Sequence, residues 1–423
     1  MSFLFSARRV LLPVALVAAV FLSSRVAEAK ALTVEVAAGD HDRANTPIRV
    51  QLALSADEAD ATDAKLTSDN GQPLTGQLTA PSLLAKPAET KPGQVARELN
   101  FVLPKLAAGQ TAKFEVELVK EASDAKQFHW HDEPGKYAEL SFGHRPVLRY
   151  MCEPLDTSSP ERIQETFKVY HHVYDPAGKR YVTKGPGGLF PHHRGLFYGF
   201  NRISYGDKQQ ADIWHCRNGE HQAHRDYQAI EAGPVLGRHR LAIDWIGRDG
   251  KPFAVEQREM TAYNTPEGTL IEFASHLESR AGAVRLDGDP QHAGFQFRAS
   301  QDVPDKTKAL TYYLRPDGKG KPGSFRNWPG DKSHANLPWN ALSFVLDDQR
   351  YTCCYLDRPQ NPKESRFSER DYGRFGSYFE FDLSEDRPLD LNYRIWLQPG
   401  EMDVAGVSAL SHDFVTPPTA TVE

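Results

Sequence analysis

The chain has 423 residues, a formal net charge of −6 at pH 7, and 40% hydrophobic residues. A chain of this length is expected to fold as about two or three domains, each with its own core. Its charged residues are spread along the sequence without a basic patch, which argues against nucleic acid as a partner.

Residues 1–29 have the features of a secretory signal peptide. Arg8 and Arg9 precede an apolar run over residues 10–22, and residues 27–29 form a small-x-small cleavage site. The apolar run is too short, and wrongly flanked, to favour a transmembrane helix. We therefore expect an exported protein, periplasmic or extracellular, that does not insert into a membrane after signal cleavage.

Residues 30–122 have the pattern of a small β-domain. Apolar and polar residues alternate over 32–36, 48–52 and 114–118, which is the period of a half-buried strand. Turn-forming residues separate these runs, and no cluster of histidines, arginines or acids accompanies them. The segment is predicted to be an immunoglobulin-like β-sandwich module with a spacer or docking role.

Residues 128–417 again consist of short strand patterns with frequent turns. A helical turn is indicated only over residues 161–167, and no alternation of strands with helices is present. This favours an all-β domain with large antiparallel sheets. The four cysteines show no CxxC spacing and are expected to be buried thiols rather than metal ligands.

The segment 187–200 carries the strongest functional signal in the sequence. His192, His193 and Arg194 lie between a Gly/Pro-rich turn and an aromatic run. Histidines exchange protons near neutral pH, and the arginine fork of donors suits a carboxylate or phosphate. Loops that carry such groups on a rigid scaffold are where function concentrates.

Several later strands are predicted to have one polar, multidentate face. Over residues 291–299 the period of two places His292, Gly294, Gln296 and Arg298 on one face, opposite alanines and phenylalanines. The same alternation pairs other polar side chains on single faces, namely Glu256 with Arg258, Glu272 with His276, and Arg394 with Trp396. A structural ion pair is the alternative reading of Glu256 and Arg258. Together these faces predict a concave, solvent-filled surface that suits a polyhydroxylated ligand.

Five motifs in sequence order resemble the PmoA-like family of exported bacterial proteins. They occupy residues 188–197, 212–215, 292–298, 356–362 and 370–375. The methane oxygenase label of that family is misleading here, because that enzyme is a bundle of apolar spanning helices, which this chain lacks. The resemblance covers about residues 130–410 and implies a β-supersandwich similar to galactose mutarotase-like domains, with no settled activity.

The favoured hypothesis is a carbohydrate-active enzyme (lyase, hydrolase or epimerase) that uses His/Glu acid–base chemistry. Its predicted catalytic residues are His192, His193, Glu256, Glu272 and His292. Its predicted substrate-binding residues are Arg194, Trp214, His215, Arg258, Gln296, Arg298, Tyr372, Arg394 and Trp396. The expected partner is a saccharide or another polyhydroxylated small molecule, held in part by arginines and by stacking on aromatic rings.

Two alternatives stay open at this point. One is a non-catalytic glycan-binding protein that uses the same groove. The other is a metal-dependent oxidoreductase in which His192, His193, His215 and His292 ligate copper or iron. The favoured hypothesis includes no cofactor and no metal, and the sequence gives no oligomeric state.

Overall fold

The computed structural model describes residues 32–120 and 126–422, so the predicted signal peptide over residues 1–29 lies outside the described residues. In chain order the strands are β1 (Leu32–Ala37), β2 (Arg43–Ser55), β3 (Asp63–Ser68), β4 (Pro73–Thr79), β5 (Gln94–Leu106), β6 (Thr111–Val119), β7 (Phe128–Glu133), β8 (Tyr137–Phe142), β9 (Arg145–Met151), β10 (Tyr170–Val173), β11 (Leu196–Phe200), β12 (Arg202–Tyr205), β13 (Gln209–Ala211), β14 (His221–Ala232), β15 (Leu236–Ile246), β16 (Pro252–Asn264), β17 (Thr269–Ser279), β18 (Val284–Asp287), β19 (Ala293–Arg298), β20 (Tyr312–Arg315), β21 (Gly318–Lys319), β22 (Trp339–Leu346), β23 (Gln349–Asp357), β24 (Arg366–Arg370), β25 (Arg374–Tyr378), β26 (Phe381–Leu383), β27 (Leu389–Pro399) and β28 (Thr419–Val422). The helical elements are α1 (Pro160–Thr166), a π-helical turn (Val303–Thr307), a 3₁₀ turn (Lys308–Leu310) and α2 (Val404–Val415).

The prediction of an all-β chain with large antiparallel sheets is confirmed. The described strands form sheets of seven, eight, four and nine strands, and the pairs within them are antiparallel. The predicted helical turn over 161–167 corresponds to α1. Helix α2 was not predicted; the side chain of Asp403 caps its first turn by accepting from the backbone N–H of Gly406.

The N-terminal strands form one continuous sheet in the order β2-β5-β4-β3-β6-β1-β28. This sheet curls around its own core, so that its two edge strands, β2 and β28, lie against each other. Strand β6 pairs with β3 on one side and with β1 on the other, which joins what would be two sheets in an immunoglobulin sandwich. The seventh strand comes from the C-terminus, outside residues 30–122. The division into two domains stays a prediction.

The largest core lies between the eight-stranded and the nine-stranded sheets. Phe295 of β19 stacks on Phe273 of β17 with ring centroids 4.3 Å apart, and Tyr198 of β11 contacts Trp245 of β15. The predicted apolar face of β19 is thus a core face. This double layer is the rigid platform from whose ends the functional loops emerge.

Buried ion pairs join the first sheet to the nine-stranded sheet. Arg238 of β15 donates to Glu98 of β5 at 2.9 Å, and both side chains are inaccessible to solvent. Burial alone would raise the pKa of Glu98, but the charges of Arg238 and Arg49 and the hydrogen bonds from Arg238 and Ser82 together outweigh it, and the pKa falls. Arg49 of β2 makes a second such pair with Glu272 of β17 at 2.6 Å.

The Arg238–Glu98 pair is expected to be needed for stability. Replacing Arg238 by Met should lower the free energy of unfolding by about 3–5 kcal/mol, because three buried or half-buried carboxylates (Glu98, Glu231 and Glu259) lose the guanidinium that they share. The matched control is Arg225→Met, which removes 3.3 Å contacts with Asp226 and Asp244 on the surface and should cost less than about 1 kcal/mol. Urea unfolding followed by tryptophan fluorescence measures both; equal losses in the two variants would contradict the prediction.

Candidate functional site

Three loops bring four histidines together above the eight-stranded sheet. His192 and His193 lie in the loop before β11, His215 in the turn after β13, and His292 directly before β19. In the β11–β19 pairing Leu196 lies opposite Phe297, so His193 and His292 start from opposite ends of the strand pair. Their rings are nevertheless 5.3 Å apart, because the loop folds back over the sheet.

Lys168 holds two of these loops at a fixed distance. Its Nζ donates to the carbonyl oxygens of His192 and Trp214, both at 2.6 Å. The ammonium group lies 3.9 Å from the ring centroid of Phe197 and is almost fully buried. Among the described residues no acidic side chain forms an ion pair with it. Two backbone carbonyls and an aromatic face therefore solvate this cation.

The imidazoles of His192, His193, His215 and His292, here called the imidazole cluster, are in mutual contact. The ring centroid of His192 lies 4.4 Å from that of His193, 4.5 Å from that of His215 and 5.3 Å from that of His292. His215 and His292 are 4.7 Å apart. The side chains of His215 and His292 are 13% and 22% exposed, His192 is also half-buried, and His193 is buried.

Two of the imidazoles are each oriented by an aspartate three residues earlier in the chain. The Nδ1–H group of His215 donates to Asp212 at 2.8 Å, and that of His292 donates to Asp289 at 2.9 Å. Each aspartate also accepts a backbone N–H two residues on, at Trp214 and at Gln291, which fixes its own side chain. Both rings are thereby held in one tautomer with Nε2 free for chemistry.

The other two imidazoles have no such partner. Nε2 of His192 and Nδ1 of His193 are buried and have no hydrogen-bond partner among the described residues. Burial, with the nearby charge of Lys168, lowers the pKa of His192 to about 2, and burial with Arg374 lowers the pKa of His193 well below its ordinary value. Both rings are therefore neutral at physiological pH, with lone pairs available.

The residues predicted to bind an anion have different environments. Arg194 is buried over the ring of Phe167 and donates to the carbonyls of Pro191 and Glu165, so it braces the histidine loop. Arg298 lies over the ring of Tyr372, 4.8 Å from its centroid, and its Nε and Nη2 have no described partner.

The other predicted groups on this side of the sheet already have partners or are covered. Gln296 uses its Nε2 on the carbonyl of Ala293 and its Oε1 on Arg374. Trp214 packs 5.7 Å from His193 but is 1% exposed, so it offers no open stacking face. Tyr372 lies at the edge of the cluster, 6.4 Å from His193, and is 9% exposed.

The predicted acid partners of the histidines belong to ion pairs of their own. Glu256 accepts from Arg258 on the same strand at 2.8 Å and from the indole of Trp245 at 3.0 Å, all fully buried. This is the structural ion pair that the sequence left open. Glu272 pairs with Arg49 and Arg394 where the first sheet meets the nine-stranded sheet. Burial would raise the pKa of Glu272, but the two guanidinium groups lower it strongly.

The predicted stacking residue Trp396 and the predicted solvent-filled surface both differ from expectation. Trp396 packs in a separate core against α2 with Tyr263 and Leu270. The polar faces of β16, β17 and β19 are covered by neighbouring elements rather than open to solvent. A cavity of about 980 Å³ does open beside residues 185–188, lined by Lys184 and Tyr351 among others, but none of the cluster imidazoles lines it.

Sequence reasoning missed the residues that set the chemistry of the cluster. Asp212 and Arg374 lie in two of the five motifs but were given no role, and Asp289 and Lys168 were not singled out. A usable signal was present for the two aspartates, because the spacing Asp-x-x-His occurs at 212–215 and again at 289–292. The role of Lys168 depends on the tertiary approach of two loops and has no local signal.

Gly294 lies on the predicted polar face of β19, and the structure leaves no space for a side chain there. A Cβ there would lie 2.0 Å from the carbonyl oxygen of Ser377, and the residue has φ of +78°. Gly294→Ala should therefore destabilise the protein by about 1–3 kcal/mol beyond the cost of its φ, through steric overlap next to His292. Gly71→Ala is the control, with φ of +76° and nothing within 4 Å. Thermal unfolding compares them, and equal losses would show that the overlap does not matter.

Among the described residues no helix combines the length and the apolarity needed to cross a membrane. No curated protein matches the chain. One solved structure that it resembles is a GalM/aldose epimerase homologue from C. elegans, with a TM-score of 0.28 and 11% sequence identity. The alignment covers 66% of this chain and 100% of that chain. A likeness of this size has no bearing on activity.

The family comparison is more specific. The model of a family of unknown function, DUF6807, matches residues 137–412, which includes the whole imidazole cluster and both Asp-x-x-His turns. The resemblance to PmoA-like proteins stays a prediction. The matched segment is well over half of the chain, and the chain therefore belongs to the DUF6807 family.

Proposed function

We propose that this protein is an exported enzyme that acts on a saccharide at the imidazole cluster. The observation that carries the proposal is the presence of two His–Asp pairs in one cluster, His215 with Asp212 and His292 with Asp289, both partly open to solvent. An imidazole held by a carboxylate at Nδ1 presents Nε2 to a substrate in a fixed orientation. Export and the PmoA-like affiliation are part of the proposal and rest on residues 1–29 and on the five motifs.

The proton-transfer role belongs to His215 in this proposal. His215 is partly exposed to solvent, and Asp212 supplies the carboxylate that Glu256 or Glu272 was expected to supply. A positioned imidazole of this kind serves as a general base and then as a general acid. It suits elimination, hydrolysis or epimerisation of a sugar, all of which move a proton at carbon or oxygen.

The charges around the cluster favour an acidic sugar. Arg298 has two unpartnered N–H groups, and Lys168 and Arg374 are buried nearby without an ion-pair partner among the described residues. Burial lowers the pKa of Arg298 to about 10, which still leaves it charged at neutral pH. Arg298 is 1% exposed, so a carboxylate such as that of a uronate, bound beside the cluster, would offset these buried positive charges without touching it.

The test is a panel of oligosaccharides, half with uronate units and half neutral, incubated with the purified protein. We expect product from the uronate-containing members, and a loss of about 10²-fold or more in kcat for His215→Gln, since general acid–base catalysis contributes about that much. His144→Gln, at an exposed histidine outside the cluster, should leave turnover unchanged. Mass spectrometry of the products distinguishes elimination from hydrolysis, and proton NMR detects epimerisation.

Binding without product across the whole panel would overturn the enzymatic proposal and favour the glycan-binding alternative. Thermal shift measured on the same samples reports that binding, because a ligand stabilises the folded state by mass action. Product formed equally well by wild type and His215→Gln would remove His215 from the chemistry.

A further inference from the structure

Three of the four imidazoles are arranged as a metal-binding set. One ligand nitrogen from each of His192, His193 and His292 lies within 4.8 Å of the others. Nitrogens bonded to one Zn²⁺ ion at about 2.1 Å lie about 3.4 Å apart in a tetrahedral site, so side-chain rotations that move each nitrogen by about 1 Å would close the set. Imidazole nitrogen is the ligand that Zn²⁺, Cu²⁺, Fe²⁺ and Ni²⁺ share.

Two of these residues each have a buried nitrogen without a hydrogen-bond partner among the described residues. Nε2 of His192 and Nδ1 of His193 have no described hydrogen-bond partner, and His193 is only 3% exposed. A buried polar atom without a partner costs free energy, about 1–3 kcal/mol each. A cation bound to both nitrogens would remove that cost, whereas no neighbouring donor does so.

The third ligand has the outer partner that metal-bound histidines usually have. His292 donates its Nδ1–H to Asp289, so its Nε2 is the free ligand atom. Asp289 is itself held by the side-chain amide of Asn201 at 2.8 Å. Such a carboxylate behind the imidazole fixes the tautomer and makes the ring a stronger ligand.

Two carboxylates lie near the set and offset part of the charge of a divalent ion. Asp289 lies behind His292 and Asp212 lies behind the neighbouring His215, opposite in sign to the nearby Lys168 and Arg374. His215 lies beside the set, with its ring 4.5 Å from that of His192 and 4.7 Å from that of His292. Three protein ligands leave a coordination position for water or substrate, as in catalytic rather than structural metal sites.

We infer that His192, His193 and His292 bind one divalent first-row transition-metal ion, with His215 lining its open side. The inference rests on the same cluster as the proposed function and supplies that site with a Lewis acid. It does not depend on which substrate is bound.

Metal binding is tested directly on the full mature chain, without saccharide. The purified protein is stripped with a chelator, dialysed and titrated with Zn²⁺ by calorimetry, and with Co²⁺ by visible absorption. We expect about one equivalent of either ion, with Co²⁺ bands typical of nitrogen coordination. His292→Gln should weaken binding by at least about 10²-fold, and His144→Ala, which removes an exposed histidine, should not change it.

Asp289→Asn provides a second variant that keeps all three ligands. Asp289 positions His292, so its replacement by Asn should weaken Zn²⁺ binding by about 10–100-fold and shift the Co²⁺ bands. Circular dichroism and thermal unfolding of the stripped proteins verify that each variant is folded before titration. Fewer than about 0.1 equivalents bound to wild type, or equal affinity in His292→Gln, would overturn the inference. One equivalent bound with no turnover of any saccharide would support the metal site and refute the proposed function alone.

Discussion

The amino group of Lys168 is the contact on which the geometry of the site depends. It binds the carbonyls of His192 and Trp214 at once, so a single side chain sets the spacing between the loop that carries two cluster imidazoles and the turn that carries His215. Burial and the charge of Arg194 lower the pKa of Lys168 well below its ordinary value. Burial is the main reason why the pKa of His192 is low, and Lys168 lowers it further, so the residue that positions His192 also acts on its pKa.

The site combines rigid and exposed parts in a consistent way. The imidazoles of His192 and His193 each have one buried nitrogen without a described partner, and Arg194, which packs over the ring of Phe167, braces their loop. The two carboxylate-oriented imidazoles lie at the solvent side, each on a short turn fixed by its own aspartate. The rings of His215 and His292 are thus each held by a hydrogen bond to an aspartate. That contact limits how far each ring moves.

The sequence predicted the convergence of the four histidines but not the partners that orient them. Period-two alternation correctly placed Glu256 and Arg258 on one face of a strand, yet it does not reveal what covers that face, so a buried ion pair was read as part of a ligand site. Trp396 was misplaced for the same reason. The alternation of apolar and polar residues predicted the all-β class of the fold, but no pattern in the sequence predicted helix α2. Its residues include Gly406, Ser408 and several valines, so its helix depends on its cap and on packing of Val407 and Phe414.

The pairing of β28 with β1 joins the first and last described strands of the protein in one sheet. During synthesis the N-terminal strands leave the ribosome hundreds of residues before Thr419–Val422 exists. The outer edge of β1 must therefore wait, with its backbone amides and carbonyls exposed, until Thr419–Val422 has been made. The first sheet is thus completed only after the strands of the other three sheets have been synthesised.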